Sequence, residues 1–234
     1  MKRTLSIIVP AYNEEKRIKI FLEQLIKFAK SNLKNYEIIL VDDGSIDNTI
    51  NVIRRETKKS KNVKVISYKL NRGKGFAVKK GIFASKGNLI LFIDADGSIT
   101  PDQIPTLLKK LTDYDVVVGD RSAANSKVKA IKSRKIIGII FNFYASILFG
   151  TKVKDNLCGF KGFHREVAID LFKNLVSQRW LFDVELFYKI RKRDYTVYNL
   201  PINWEHKQGS KIRFIDPFKM LFQLLALRIK LIDK

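Results

Sequence analysis

The stretch from Leu89 to Ser98, which reads Leu-Ile-Leu-Phe-Ile-Asp-Ala-Asp-Gly-Ser, constrains the fold of this chain more than any other. Five apolar residues in a row, Leu89 to Ile93, suit a strand buried on both faces, as in the middle of a parallel sheet. The run stops at two carboxylates, Asp94 and Asp96, followed by Gly97. In open α/β sheets ligands bind outside the carboxyl ends of the strands, so these acids stand where chemistry is done. Carboxylate oxygens suit a hard cation such as Mg²⁺ or Mn²⁺. A metal held there can bridge a diphosphate and neutralise it as it leaves. The competing reading is a polar turn that merely closes a strand. The neighbouring segments decide between the two.

Leu5 to Val9 is a short apolar strand ended by Pro10. Ala11-Tyr12-Asn13-Glu14-Glu15 opens a helix predicted to run to about Asn32, with Ile18, Phe21, Leu22, Leu25, Ile26 and Phe28 mostly on one face. A second strand, Glu37 to Val41, ends in Asp42-Asp43-Gly44-Ser45-Ile46-Asp47. Asp47 or Asn48 can cap the next helix, but a cap needs one acid and this turn carries three. A third strand, Val63 to Tyr68, leads into Asn71-Arg72-Gly73-Lys74-Gly75, whose glycines let backbone approach a ligand and whose two cations favour phosphate. That segment is neither Gly-x-x-x-x-Gly-Lys-Ser/Thr nor Gly-x-Gly-x-x-Gly, which disfavours a P-loop NTPase and an NAD-dependent dehydrogenase. Helices are expected over Phe76 to Phe83 and Pro101 to Leu111, and a strand over Asp115 to Val118 that ends in Gly119-Asp120-Arg121. The alternation predicts a doubly wound α/β fold.

At 234 residues the chain has room for one sizeable core. Its charge is the unusual quantity. With 45 Lys and Arg against 23 Asp and Glu, the net +22 favours anionic partners: nucleic acid, an anionic membrane surface or phosphorylated substrates. A basic nucleic-acid-binding protein has only that charge in its favour, because base-reading and stacking motifs are missing and such a protein has no use for acids at successive strand ends. A single cysteine, Cys158, excludes an internal disulfide and a cysteine-based zinc site, and points to a reducing compartment. No secretory signal is visible, and no apolar run reaches the roughly 18 residues of a spanning helix, so the chain is not expected to cross a membrane by itself.

Taken together, these strand-end motifs resemble those of family 2 glycosyltransferases of GT-A fold, and of polyprenyl-phosphate hexosyltransferases in particular. Ile8-Val9-Pro10-Ala11-Tyr12-Asn13-Glu14-Glu15 is similar to the family's opening strand and helix start, Val41-Asp42-Asp43-Gly44-Ser45 to its nucleotide-binding turn, Asn71 to Gly75 to its donor-side loop, and Asp94-Ala95-Asp96 to its metal motif. Cys158-Gly159-Phe160-Lys161, Arg179-Trp180-Leu181-Phe182-Asp183-Val184-Glu185, and Asn203-Trp204 with Gly209-Ser210-Lys211 look like dolichyl-phosphate β-glucosyltransferases. Three segments depart from the pattern: Asp120 stands where serine is usual, Asp155-Asn156-Leu157 where Asp-Thr-Gln is usual, and His206-Lys207 varies the stretch before Gly209.

The resemblance implies an inverting transfer of a hexose from a nucleotide-diphosphate sugar to a polyprenyl monophosphate lipid, with Mg²⁺ or Mn²⁺ as cofactor. Glucose from UDP-glucose is favoured, with mannose from GDP-mannose as the alternative. It implies donor-binding roles for Pro10, Tyr12, Glu14, Asp42, Asp43, Lys74, Asp94, Ala95, Trp180, Asp183 and Glu185, with Asp42 or Asp43 on base or ribose and Asp94 and Asp96 on the metal. Asp96, Asp155 and Arg121 are the catalytic candidates. Arg121, Arg134 and Lys211 are candidates for the acceptor phosphate, Arg121 foremost because its fork is bidentate. The attacking phosphate oxygen is already anionic, so no strong general base is needed, which agrees with the presence of only two histidines, His164 and His206. Several of these residues also have plainer readings. Asp155 can be a loop acid paired with Lys152 or Lys154, Arg134 can belong to a solvated basic run, and one of Asp183 and Glu185 can simply complement a helix start. Trp204 reads equally as core or as a sugar platform.

Two stretches point to a lipid. A basic run from Lys127 to Lys135 leads into Ile136 to Phe149, about 21 Å long as a helix and short of a hydrocarbon core of about 30 Å. Gly138, Asn142 and Ser146 form its small or polar stripe. Phe218, Leu221, Phe222, Leu225, Ile229 and Ile232 share a face of a C-terminal helix. The expectation is a catalytic domain over residues 1–212, including an interfacial helix at about 131–149, and an amphipathic membrane-associating helix over 213–234. The whole is expected to sit peripherally on the cytoplasmic face of a membrane, as a monotopic protein that binds no nucleic acid.

Overall fold

The computed structural model describes residues 4–129, 132–151, 155, 157–207 and 217–232, with side chains for all but 129, 132–137, 217, 218, 220 and 232. Strands and helices alternate through the first half: β1 (Leu5–Ala11), α1 (Ile18–Asn32), β2 (Tyr36–Asp42), α2 (Thr49–Thr57), β3 (Val63–Ser67), α3 (Lys74–Ala84) and β4 (Leu89–Ile93). A 3₁₀ turn, Pro101–Gln103, then precedes α4 (Ile104–Lys110) and β5 (Val116–Asp120). The second half holds β6 (Lys127–Lys129), α5 (Lys132–Phe149), β7 (Phe160–His164), α6 (Arg165–Lys173), α7 (Phe182–Lys192), β8 (Val197–Pro201), β9 (Asn203–Glu205) and α8 (Pro217–Ile232).

Seven strands form one sheet in the order β3-β2-β1-β4-β7-β5-β8, parallel except where β7 runs against β4 and β5. The chain steps outward from β1 to β2 and β3, then returns to the other side of β1 as β4. That reversal opens a crevice at the carboxyl ends of β1 and β4, the usual ligand position in such sheets. The reversed β7 completes it. Ile93 pairs with Phe160 and Val118 with Lys161, so the segment before β7 crosses the ends of both β4 and β5.

Leu89, Leu91 and Ile93 pack with α1, α2 and α4 on one face, while Ile90 and Phe92 pack with α3, α6 and α7 on the other. This two-sided burial is the reason β4 reads as an unbroken apolar run. Most boundaries shift by a residue or two, and the largest differences lie in the first strand–helix unit. β1 continues through Pro10 to Ala11, and α1 starts at Ile18 rather than near Tyr12. Asn13 takes a left-handed φ of 50°, and the amides of Asn13 and Glu14 donate to Ser45 Oγ and Thr49 Oγ1 of the next loop, so these residues bind across the sheet edge instead of entering the helix.

α5 and α8 form a separate apolar cluster with α7. Phe141, Ala145 and Phe149 of α5, Leu224, Leu227 and Leu231 of α8, and Leu181 and Val184 make its core. The outer faces of both helices are apolar too, with Ile139, Phe143 and Ile147 on α5 and Phe222, Leu225 and Ile229 on α8 all exposed. The face of α8 read from the sequence is thus the outward one, and a second apolar row holds the helix down. Among the described residues no helix is long and apolar enough to cross a membrane.

Candidate active site

Asp94 leaves the end of β4 with its amide donating to the Gly159 carbonyl at 3.0 Å. Its carboxylate lies directly over Gly159, where a Cβ would collide with both carboxyl oxygens. The absence of a side chain at position 159 is therefore what gives Asp94 its place. Lys74, at the first turn of α3, donates to Asp94 Oδ1 at 2.7 Å. It gets there because Gly73 holds φ at 101°, a conformation open to glycine, and turns the loop sharply into the helix. Burial alone would lower the Lys74 ammonium, but the charges of Asp94, Asp183 and Asp96 reverse this and hold it above its ordinary value.

Beneath this pair lies a second one. Lys161 of β7 is wholly buried, and its Nζ donates to Asp183 Oδ1 at 2.7 Å and to the Cys158 carbonyl at 2.6 Å. Both ammonium groups lie near the Phe92 ring, Lys74 Nζ 5.8 Å and Lys161 Nζ 5.2 Å from its centroid. Asp183, one of the two acids expected on the donor side, has its carboxylate buried against Lys161; burial raises its pKa while Lys161 and Lys74 pull it back.

On the β5 side, Arg121 closes on Asp155. Nε and Nη2 donate to its two carboxylate oxygens at 2.7 Å each, and the Arg121 amide adds a third bond at 3.0 Å. Burial would raise the Asp155 carboxyl, but the bonds and charge of Arg121 hold it below its ordinary value. Arg121 Cζ also lies 5.4 Å from the Trp204 ring centroid. Nη1 donates to none of the described residues. Asp120 turns away and accepts from the Ser122 amide at 2.7 Å, so it does not compete for the guanidinium. Cys158 is buried, and burial first, then the charge of Asp155, pushes its thiol up to about 12.

The acids after β2 hold a loop. Asp43 is buried and accepts from Tyr68 Oη, Asn71 Nδ2 and the amides of Arg72 and Gly73, all between 2.7 and 2.9 Å. A carboxylate offers about four acceptor positions. Those of Asp43 are filled by its own chain, so of the expected pair on base or ribose Asp43 is the one that holds the loop. Asp42 is also buried, and accepts from the Ser45 amide and Ser67 Oγ. Asp47 takes the cap-like position, accepting from the Thr49 amide at 3.0 Å.

Three more candidates move. The Glu14 carboxylate accepts from Arg17 Nε and Nη2 at 2.7 Å each, in the turn before α1. Glu185 is fully buried; it accepts from the amides of Val176 and Ser177 and pairs with Lys189 at 2.6 Å, so it ties a loop to α7. Trp180 packs its ring 5.3 Å from Phe141, in the α5–α8 cluster. Pro10 and Ala95 are buried at the crevice, and Tyr12 is half-buried beside it. Lys211 lies outside the described residues, as does the side chain of Arg134.

Sequence reasoning passed over two cations here. Lys161 stands in an alternating strand that reads as half-exposed, and only its pairing with Asp183 reveals it. Arg179 is exposed, its Cγ would lie 2.8 Å from a Cβ at Gly73, and its Nη1 reaches Asn71 Oδ1 at 3.4 Å. No spacing in the sequence ties it to that loop.

The residues present fit a divalent ion. Asp94 and Asp96 are half-buried hard-oxygen donors one residue apart, and Asp96 uses Oδ1 for the Ser98 amide while Oδ2 accepts nothing from the described residues. No group of three or more His, Cys, Asp or Glu that could hold a metal occurs among the described residues, so an ion here would have the two carboxylates and need further oxygens from its ligand.

Residues 6–172 match the model of glycosyl transferase family 2. The chain is 38% identical to a dolichyl-phosphate β-glucosyltransferase of Dictyostelium discoideum, over 94% of this chain and 71% of that protein. It is 35% identical to the human protein of the same description, over 97% and 76% of the two chains. The fold superposes with a TM-score of 0.73 on the crystal structure of glucosyl-3-phosphoglycerate synthase from Mycobacterium tuberculosis in complex with Mn²⁺, UDP and glucosyl-3-phosphoglycerate, at 19% identity over 97% of this chain and 80% of that one.

Proposed function

This chain belongs to glycosyl transferase family 2 and is a glycosyltransferase of GT-A fold, and on that premise we propose that it moves glucose from UDP-glucose to a polyprenyl monophosphate of dolichyl type. The observation that carries the reading is the pairing of two charged centres at the ends of the two strands that flank β7, Lys74–Asp94 after β4 and Arg121–Asp155 after β5. The likeness to dolichyl-phosphate β-glucosyltransferases supports the choice of sugar and acceptor.

Two anionic reactants must be brought together, so the chain's task is placement and charge. Lys74 presents its ammonium at the end of β4, within the reach of a donor diphosphate. Pro10, Tyr12 and Ala95 keep their proposed donor-side roles by position. Asp155 fixes the Arg121 fork and leaves Nη1 to meet the acceptor phosphate, whose oxygen needs no general base. Asp94 and Asp96 would hold a divalent ion, which would supply charge neutralisation of the leaving diphosphate.

The membrane reading rests on the outer faces of α5 and α8. Ile139, Phe143 and Ile147 recur at i, i+4 and i+8, and Phe222, Leu225 and Ile229 at i, i+3 and i+7, all exposed. With a net charge of +22, an anionic leaflet is the surface these faces suit. A donor panel tests the sugar: label from UDP-glucose entering a polyprenyl-phosphate fraction supports the proposal, and label entering only from GDP-mannose overturns it.

A further inference from the structure

Lys74 has two carboxylates to choose between. It is bonded to Asp94. Its neighbour Gly75 sits so close to Phe182 that an added Cβ would lie 2.7 Å from the Phe182 Cβ, which sets the start of α3 against the start of α7, where Asp183 follows. The Asp183 charge also acts on the Lys74 ammonium. Asp183 in turn is bonded to Lys161, a cation with no exposed surface, anchored on the Cys158 carbonyl next to the glycine that shapes the Asp94 site. An unpaired carboxylate at this depth is costly and would draw in the nearest cation. We propose that Lys161 is a positioning residue: by satisfying Asp183 it keeps Lys74 on Asp94, at the mouth of the site.

The proposal rests on the function above only in taking Asp94 as a ligand-binding carboxylate. It predicts an asymmetry that a purely structural ion pair does not. Removing the Lys161 charge lets Asp183 pull Lys74 inward, which frees Asp94. Removing the Asp183 charge leaves Lys74 no competing partner, so it stays where it is. If both residues served stability alone, either loss would loosen the site in the same way.

The test is amine acylation of the full chain, read at Lys74 by peptide mass spectrometry, with Mn²⁺ binding followed by electron paramagnetic resonance as a second readout without substrate. In Lys161→Met, Lys74 should be acylated about tenfold more slowly, and Mn²⁺ should bind more tightly, in line with the tens-fold leverage of groups behind a ligand. In Asp183→Asn, Lys74 should be acylated no more slowly than in the wild type. The double variant Lys161→Met/Asp183→Leu, which removes both charges and guards against a single variant that does not fold, should return Lys74 to the wild-type rate. Slower acylation in Asp183→Asn, or slow acylation persisting in the double variant, overturns the proposal. A wild-type protein that binds no Mn²⁺ would remove the metal from the proposed function and leave the acylation rates to decide this inference.

Discussion

Arg121 and Asp155 form a bidentate clasp, Nε and Nη2 on the two carboxylate oxygens at 2.7 Å each, that joins the end of β5 to the segment before β7. The resemblance to known transferases makes both residues catalytic candidates and gives Arg121 the acceptor phosphate. The geometry makes them one unit, in which the carboxylate orients the guanidinium and two of its three nitrogens are engaged within the protein. Arg121 therefore offers an edge rather than a fork to any incoming phosphate.

The clasp has a defined pH dependence. Asp155 titrates below its ordinary 3.8 in the folded chain, so its contribution is full above that value and is lost as pH falls through the lowered folded value. Asp155→Asn leaves Arg121 without its partner and should cost about 3 kcal/mol at pH 7. In urea unfolding across pH, that deficit should shrink below pH 3.8 as the wild-type carboxyl is protonated.

Gly159→Ala should separate activity from folding. The new Cβ would strike the far end of the Asp94 side chain, which can swing away, so thermal unfolding should move little. Transfer should fall about 100-fold, the scale of an ångström-sized displacement at a reacting centre. Circular dichroism and an activity assay on the same preparation check both halves.

Cys158 should be inert while the chain is folded. Its thiol is buried and pushed up to about 12, so almost no thiolate exists at pH 8. Iodoacetamide should leave it unmodified in the native protein and alkylate it readily in urea, as mass spectrometry would show.

Phe143 and Phe222 are 60% and 70% exposed, so replacing them should not unfold the chain. On the membrane reading, Phe143→Ser and Phe222→Ser should each weaken flotation with anionic liposomes about tenfold, the worth of one buried aromatic side chain. Unchanged flotation in the double variant would detach α5 and α8 from the lipid.

How much of this was legible in the sequence varies with the range of the interaction. β4 declared itself because both its faces are buried, and the acids at strand ends marked the site because apolar runs stop at them. The partners of those acids were hidden. Asp43 looks like a ligand contact until its bonds to Tyr68, Asn71, Arg72 and Gly73 are seen, and Lys161 looks half-exposed until Asp183 is found against it. The start of α1 was misjudged for the same reason, since loop-to-loop bonds from Asn13 and Glu14 overrode helix propensity. On α8, an apolar helix with one buried and one exposed apolar face has no single stripe to read.

The most direct measurement is transfer of labelled glucose from UDP-glucose into a polyprenyl-phosphate lipid fraction, with and without Mn²⁺ or Mg²⁺, for the wild type and Asp96→Ala. The account predicts a glucolipid that forms only with metal and is lost in Asp96→Ala, while the variant keeps its fold. Slow hydrolysis of UDP-glucose with no lipid product would contradict the acceptor assignment, and metal-independent transfer undiminished in Asp96→Ala would contradict the site itself.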